Sequence, residues 1–429
     1  MFCFIIRRRK KKDEALAKYI MKGNPHPHTI RFMINRGARV NARDNHSNSM
    51  LHLVMRHCKD NIQVVRMMLK SGADPNAVSV VKKTPLRMAI KYRQDISVIK
   101  ELINYGADVN CQDRHLNTPL HVAVIKKLHY VVNILLQHKA NVNIANDNEN
   151  SVLHACVLLN DFQTLKKILH YKNLKIDLEA KNRFKETPLM CAVKGDNLKI
   201  VSELLLFGAS VATTDGTGST LLHAALMKSP PNLELVDELL RYNADIYFLN
   251  NDISSPVHLA VNKYYEPELD NFVSTKALIK YDVLQNGDRT FQFSHHIGTR
   301  PGIYSKLEKF CEACLYEVGR MKSEFIDINF TLHEFVIQCL NKRAILVNKT
   351  NYKTSIIDRI LRVFRRYPIY QDIIITCVEK KYLLRKITDI RLRAKVRKEE
   401  RLITLDFDSL YIICDYLSNS DILNLIEAF

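Results

Sequence analysis

Histidine titrates nearest neutral pH and is the side chain most ready for acid–base or metal chemistry. Five histidines recur in register along this 429-residue chain: His52, His121, His154, His223 and His258. Convergent imidazoles would make a zinc or general-base site. Their spacing argues otherwise, because each occurs once per copy of a repeated phrase. Stacked copies hold such residues about 10 Å apart, whereas a zinc–nitrogen bond is about 2 Å. These histidines are therefore expected to hydrogen-bond locally, between a helix and the following turn. Cys311-Glu312-Ala313-Cys314 is the lone C-x-x-C. Zinc needs a second ligand pair and a thioredoxin-like site needs a βαβ setting. Residues 306–318 instead read as an amphipathic helix, so both cysteines are expected to be structural. Gly216-Thr217-Gly218-Ser219-Thr220 lacks the lysine and spacing of a nucleotide loop and falls at a turn. His295-His296 lies in a Gly/Pro-bearing stretch that reads as a solvated linker. No catalytic residue, metal or cofactor is expected, and the chain is not expected to be an enzyme.

The elements that place those histidines follow a period of about 34 residues. Thr118-Pro119-Leu120-His121-Val122-Ala123 has relatives beginning at Ser49, Thr84, Ser151, Thr187, Thr220 and Ser255. A second phrase keeps step: Gly37-Ala38, Gly72-Ala73-Asp74, Gly106-Ala107-Asp108 and Gly208-Ala209, with Lys139-Ala140 and Asn243-Ala244 as degenerate forms. The physics of one copy is legible. Thr118 caps a helix, and Pro119 takes its first position, where the missing N–H costs nothing. Leu120, Ala123 and Val124 share a face. Val131, Ile134, Leu135 and Leu136 make a second apolar stripe. Glycine at the position of Gly106 ends that helix in the left-handed region. Asn110 and Asn143, which follow Val in the next segment, are expected to be turn residues. Residues 13–40 form a partial copy without the first phrase and are expected to cap the array.

These phrases resemble the ankyrin repeat, whose signature is T-P-L-H-x-A, over roughly residues 13–285. The resemblance implies a mainly α solenoid of helix pairs joined by short β-hairpins, and a protein partner met by hairpin tips and helix faces. The tip residues are Asn45, His46, Val81, Lys82, Arg114, His115, Asn148, Glu149, Phe184, Lys185, Thr217, Gly218, Asp252 and Ile253. Only Gly218 supplies glycine where that family usually has it.

After residue 302 the period is lost. Apolar residues recur at helical spacing, including Leu307 and Cys314, Leu332, Phe335 and Val336, Ile360 and Phe364, and Ile373 and Ile374. The expected organisation is a basic N-terminal segment (1–12), the array (13–285), a linker (286–302), a helical region (303–401) and a tail (402–429). Residues 391–398 read as a helix with a solvated basic face. The tail, at residues 405–422, resembles the start of an F-box, L-P-x-E-I-…-I-L-x-Y-L-S-x-x-D-L. It departs at Asp406, which replaces Pro, and at Ser409, which replaces Ile. A truncated F-box behind a basic ankyrin array is similar to the PRANC domain of poxvirus ankyrin proteins. That resemblance implies a host-modulating adaptor in the host cytoplasm or nucleus. The array would capture a host protein, and the tail would dock on the Skp subunit of a cullin–RING ubiquitin ligase through Leu405, Phe407, Leu410, Ile413, Tyr416, Leu417 and Ile422. Sequestration without a ligase stays open, because Asp406 and Ser409 depart from the motif.

Composition bounds the alternatives. Hydrophobic residues are 47% and charged residues 25%, as in folded proteins. Glycine and proline number only 12 each, which disfavours a turn-rich β fold. No run approaches the ~18 apolar residues of a membrane span. Met1 to Ile6 precede Arg7-Arg8-Arg9-Lys10-Lys11-Lys12, the reverse of a secretory signal, so the chain reads as unexported. The ten scattered cysteines fit a reducing compartment. The net charge of +19 invites a nucleic-acid or membrane-surface partner. It divides into +6 on 1–12, +6 on 13–341, +12 on 342–401 and −5 on the tail. No stacking aromatics or known module accompany the basic block. Direct nucleic-acid binding is therefore the less favoured reading, although a basic nucleic-acid or membrane-surface binder stays open as an alternative; no small-molecule partner is expected, and the charge marks a boundary near residues 401–402.

Overall fold

The structure is a computed structural model. It describes residues 2–263, 272–286, 301–327, 330–341, 359–360, 362–376, 392–396 and 399–403. The chain divides into two units, Met1–Leu204 and Leu205–Phe429.

In the first unit each copy of the phrase starts a helix for the reason its residues suggest. Thr84, Thr118 and Thr187 accept the N–H of the residue three positions on, at 3.2–3.4 Å, and a proline follows each. The first helices are α3 (Met50–His57), α5 (Pro85–Lys91), α7 (Pro119–Ile125), α9 (Val152–Leu158) and α11 (Pro188–Lys194). Their partners are α4 (Ile62–Lys70), α6 (Ile96–Asn104), α8 (His129–Gln137), α10 (Phe162–Leu169) and α12 (Leu198–Leu206). Asn61, Asp95 and Asp161 cap α4, α6 and α10, accepting from the Val64, Ser97 and Thr164 backbone N–H groups. Helices of 6–9 residues are marginal alone. Stacking stabilises them: Leu86, Ala89, Leu120, Ala123 and Leu135 are fully buried. Alanine at that inner position lets neighbouring first helices approach. Gly106 closes α6 with a φ of +85°, its N–H on Ile103 O at 2.9 Å and that of Ala107 on Leu102 O at 3.0 Å. Lys139 takes the same left-handed conformation at φ +61° without glycine's freedom.

The N-terminus differs from expectation. α1 (Phe2–Met21) runs through residue 12, so the basic run is part of a helix and not a separate segment. With α2 (Pro27–Asn35) it closes the end of the array: Leu16 and Ile20 are buried, α1 packs on α3, and Asp13 holds Arg39 at 2.8 Å.

The second unit contains α13 (Leu221–Leu226), α14 (Leu233–Arg241), α15 (Pro256–Lys263) and α16 (Val273–Asn286), followed by α17 (Pro301–Ser323), α18 (Leu332–Asn341) and α19 (Gln371–Thr376). The expected linker at 286–302 does not separate two cores. α17 packs directly on α16, because Leu307, Cys314 and Val318 bury a stripe and α16 is buried on several sides through Leu278, Ile279 and Val283.

Short hairpins interrupt the expected helical region. β1 (Phe325–Asp327) pairs with β2 (Phe330–Thr331), and β3 (Leu392–Val396) pairs antiparallel with β4 (Glu399–Ile403), Ala394 opposite Arg401. Residues 392–396 are therefore a strand and not part of the expected helix. Leu392, Ala394 and Val396 alternate with Arg393, Lys395 and Arg397, which is the period of a strand. β4 also crosses the boundary expected at 401–402. The seven tail residues Leu405 to Ile422, and His295-His296, lie outside the described residues.

Candidate interaction surface

Four of the five register histidines bind the turn of the next copy. His121 Nδ1 lies 2.9 Å from Thr118 Oγ1 and accepts the Thr118 N–H at 3.3 Å, while Nε2 lies 3.1 Å from Asn150 O in the next copy. A ring nitrogen that accepts a backbone N–H carries no proton, so Nε2 is the donor to the carbonyl. His52, His154 and His223 repeat this with Lys83 O, Glu186 O and Ser254 O at 2.7–3.0 Å. Burial, opposed by the bond to that carbonyl, lowers the pKa of all four below 6.5 and keeps them neutral. The backbone N–H of His258 donates to Ser255 Oγ at 3.1 Å. No three His, Cys, Asp or Glu among the described residues could hold a metal. Where the second copy has Arg87 instead of histidine, its guanidinium pairs with the buried carboxylate of Asp113 in the next turn.

The asparagines act the same way one layer further on. Asn110 Oδ1 accepts the Asn141 N–H at 2.8 Å, and Asn143 Oδ1 accepts that of Asp177 at 3.0 Å. Both are turn residues tying neighbouring copies, as expected.

The tips are five-residue turns with a common plan. Asp44 N–H donates to Asn48 O at 3.0 Å, and Asp44 Oδ1 accepts the His46 and Asn48 N–H groups at 2.8 Å. Asp113, Asn146, Asn182, Asp215 and Asn250 do the same work in their turns. The fourth residue is left-handed in each: Ser47, Lys82, Leu116, Glu149, Lys185, Gly218 and Ile253, at φ +51° to +74°. The expected β-hairpins amount to isolated bridges, Arg43 with Ser49 and Thr214 with Thr220. Within a unit, tips join edge to edge, as Val80 N–H on His46 O and Asp147 N–H on His115 O. Gly218 has a second reason to be glycine, since a Cβ would meet Asn251 Oδ1 at 2.5 Å. The Gly216–Thr220 loop is thus a tip and not a phosphate cradle.

Of the expected tip residues, Asn45, His46, Lys82, Arg114, His115, Glu149, Phe184, Lys185, Thr217, Asp252 and Ile253 are exposed. Val81, Asn148 and Gly218 are half-buried. Two further exposed sets stand beside these residues. Val80 and Leu116 lie on tips at 70% and 42% exposure. The last residues of successive first helices form the second set: Arg56 in the last turn of α3, then Lys91, Ile125, Leu158 and Lys194. Counting five residues on from the leucine of each phrase would have found that row.

Cys311 and Cys314 are buried on α17, and burial pushes the Cys314 thiol up to about 12. This is a packed, inert environment. No described helix is long and apolar enough to cross a membrane.

Comparison with known proteins agrees with this geometry. The ankyrin repeat families match residues 46–80, 75–146 and 153–248. A fowlpox virus ankyrin repeat protein, FPV031, is 28% identical over 209 residues, which cover 48% of this chain and 60% of that protein. A second fowlpox virus ankyrin repeat protein, FPV233, is 44% identical over 55 residues, 13% of this chain and 10% of that one. The chain thus spans 60% or less of the length of either viral relative. The crystal structure of the ankyrin repeat domain of Bcl-3 covers 52% of this chain and 96% of its own, with a TM-score of 0.47 and 21% identity.

Proposed function

We propose that this chain is a host-modulating adaptor of the kind found in poxviruses. Its ankyrin array captures a host protein, and its tail, through Leu405, Phe407, Leu410, Ile413, Tyr416, Leu417 and Ile422, recruits the Skp subunit of a cullin–RING ligase. It makes and breaks no bond. Two sites on one body raise the effective concentration of captured protein at the ligase. One observation carries the capture half. Inward positions repeat from copy to copy, whereas the exposed tip pairs all differ: Asn45-His46, Arg114-His115 and Phe184-Lys185. A surface held rigidly yet varied in chemistry suits recognition of one irregular protein surface. The similarity to fowlpox ankyrin repeat proteins supports the viral setting. The F-box-like sequence alone supports the ligase half.

Purified full chain and a chain ending at Ile403 should be passed over immobilised Skp subunit. Retention of the full chain alone is expected. Equal recovery of both, or of neither, removes the ligase half and leaves sequestration. In parallel, full chain used as bait in host lysate should retain a protein that is lost on substituting Arg114 and Phe184 together. Unchanged retention would move capture off the tips.

A further inference from the structure

The array looks only mildly basic by sequence, but the fold makes that charge one-sided. In the first three full copies, the tips and first helices (43–57, 79–92 and 113–126) hold eight Lys or Arg and two Asp. The matching second helices with their caps (61–70, 95–104 and 128–137) hold three Lys or Arg and two acids. Both acids of the basic face are engaged within it. Asp44 is the acceptor of its own turn, and Asp113 pairs with Arg87. Lys83 sits among cations: burial, then the charges of Lys91, Arg87, Arg114 and Arg56, hold its ammonium below the usual value.

The same face has an apolar centre. Consecutive first helices pack on one another, α3 on α5, α5 on α7, α7 on α9 and α9 on α11. Their final-turn residues form the row Arg56, Lys91, Ile125, Leu158, Lys194, with Ile125 47% and Leu158 60% exposed. Two exposed aliphatic side chains are thus bracketed by cations. Packed helices lie about 9 Å apart, so the row spans roughly 36 Å, the length of a helix of about 24 residues.

We propose that this face binds an acidic amphipathic helical segment of the captured protein. Its apolar stripe would seat on Ile125 and Leu158, and its carboxylates would meet Arg56, Lys83, Lys91 and Arg114. The assignment rests on the array being a capture surface and names the chemistry of what it captures. Positive charge alone would suit a phosphate backbone equally. The paired aliphatics favour a peptide, because a nucleic-acid groove uses stacking aromatics.

The test uses full chain and a fluorescent synthetic peptide of about 24 residues, glutamate-rich with a leucine stripe at helical spacing. Comparators are polyglutamate of equal length, the same peptide with lysine for glutamate, and a single-stranded oligonucleotide. The striped acidic peptide is expected to bind at least about tenfold more tightly than any comparator and to weaken with salt. Lys91→Glu with Arg114→Glu should cost about thirtyfold or more, and Ile125→Ser with Leu158→Ser about tenfold. Melting curves verify that these exposed changes leave the fold intact. Equal binding of polyglutamate or oligonucleotide overturns the proposal, as does indifference to either pair of changes. If both pairs abolish peptide binding but the host protein is still retained, capture stands and this face is not its seat.

Discussion

Lys280 on α16 and Asp372 on α19 form an ion pair, Nζ to Oδ1 at 2.6 Å, across 92 residues of sequence. Tyr370, just before α19, donates its hydroxyl to Lys280 O at 2.9 Å. The helices beyond residue 300 are thus fastened to α16 and do not hang from it by a tether. Lys280→Ala and Asp372→Ala should each destabilise α19 by about 1 kcal/mol, the range for a partly exposed pair. The double variant should cost less than the two singles added. Hydrogen exchange at α19 amides reads this, and strict additivity would mean the pair contributes nothing.

The buried histidines predict an acid limit to stability. An unfolded chain titrates them near 6.5, and burial lowers that value when folded. Below pH 6.5 the unfolded chain therefore binds protons that the folded chain refuses, and stability is lost as pH falls. Their contribution is complete above that value. Melting temperature should fall steadily from pH 7 toward 5, and His121→Ala should flatten part of the slope while costing about 2 kcal/mol. A melting temperature constant across that window would contradict neutral, buried rings.

Left-handed positions give paired stability changes of opposite sign. Lys139→Gly should raise stability by about 1 kcal/mol, since only glycine adopts φ +61° without steric cost. Gly218→Ala should lower it by about 2 kcal/mol, combining left-handed strain with the approach of Asn251. Urea midpoints measured on both variants decide the matter; a shift of the same sign in both would refute the assignment.

Arg87 and Met190 are the two residues that replace histidine in this register, and only Arg87 is charged. Arg87→Ala leaves the buried Asp113 carboxylate without its countercharge, although two backbone N–H groups remain. A loss of about 3 kcal/mol is expected. Adding Asp113→Asn should recover part of it, because a neutral amide keeps the turn and needs no cation. Chemical denaturation of the single and double variants would show whether that recovery occurs.

The array was legible because its information is local. Thr118-Pro119 writes a cap, His121 reaches a turn one copy away, and Asn110 bridges to Asn141. The exposed row Arg56 to Lys194 keeps the same period, but nothing local marks it as one surface, since its members are separated by 33–36 residues in the chain. They align only when helices stack. The β3–β4 hairpin is hidden for another reason. The density of basic residues masks their period of two, although their alternation with Leu392, Ala394 and Val396 carries the strand signal.

By itself the sequence determined the repeat, its caps, its histidine bridges and the placing of one register histidine per copy, because each depends on residues within about one period. Tertiary structure decided what needs distant parts brought together. It made α1 one helix through the basic run, joined α17 and α19 to α16, and set the cations of three copies on one face around Ile125 and Leu158. The physical reason is that hydrogen bonds of a turn are short-range and repeat with the chain. Burial and electrostatic field instead depend on which surfaces packing leaves outside.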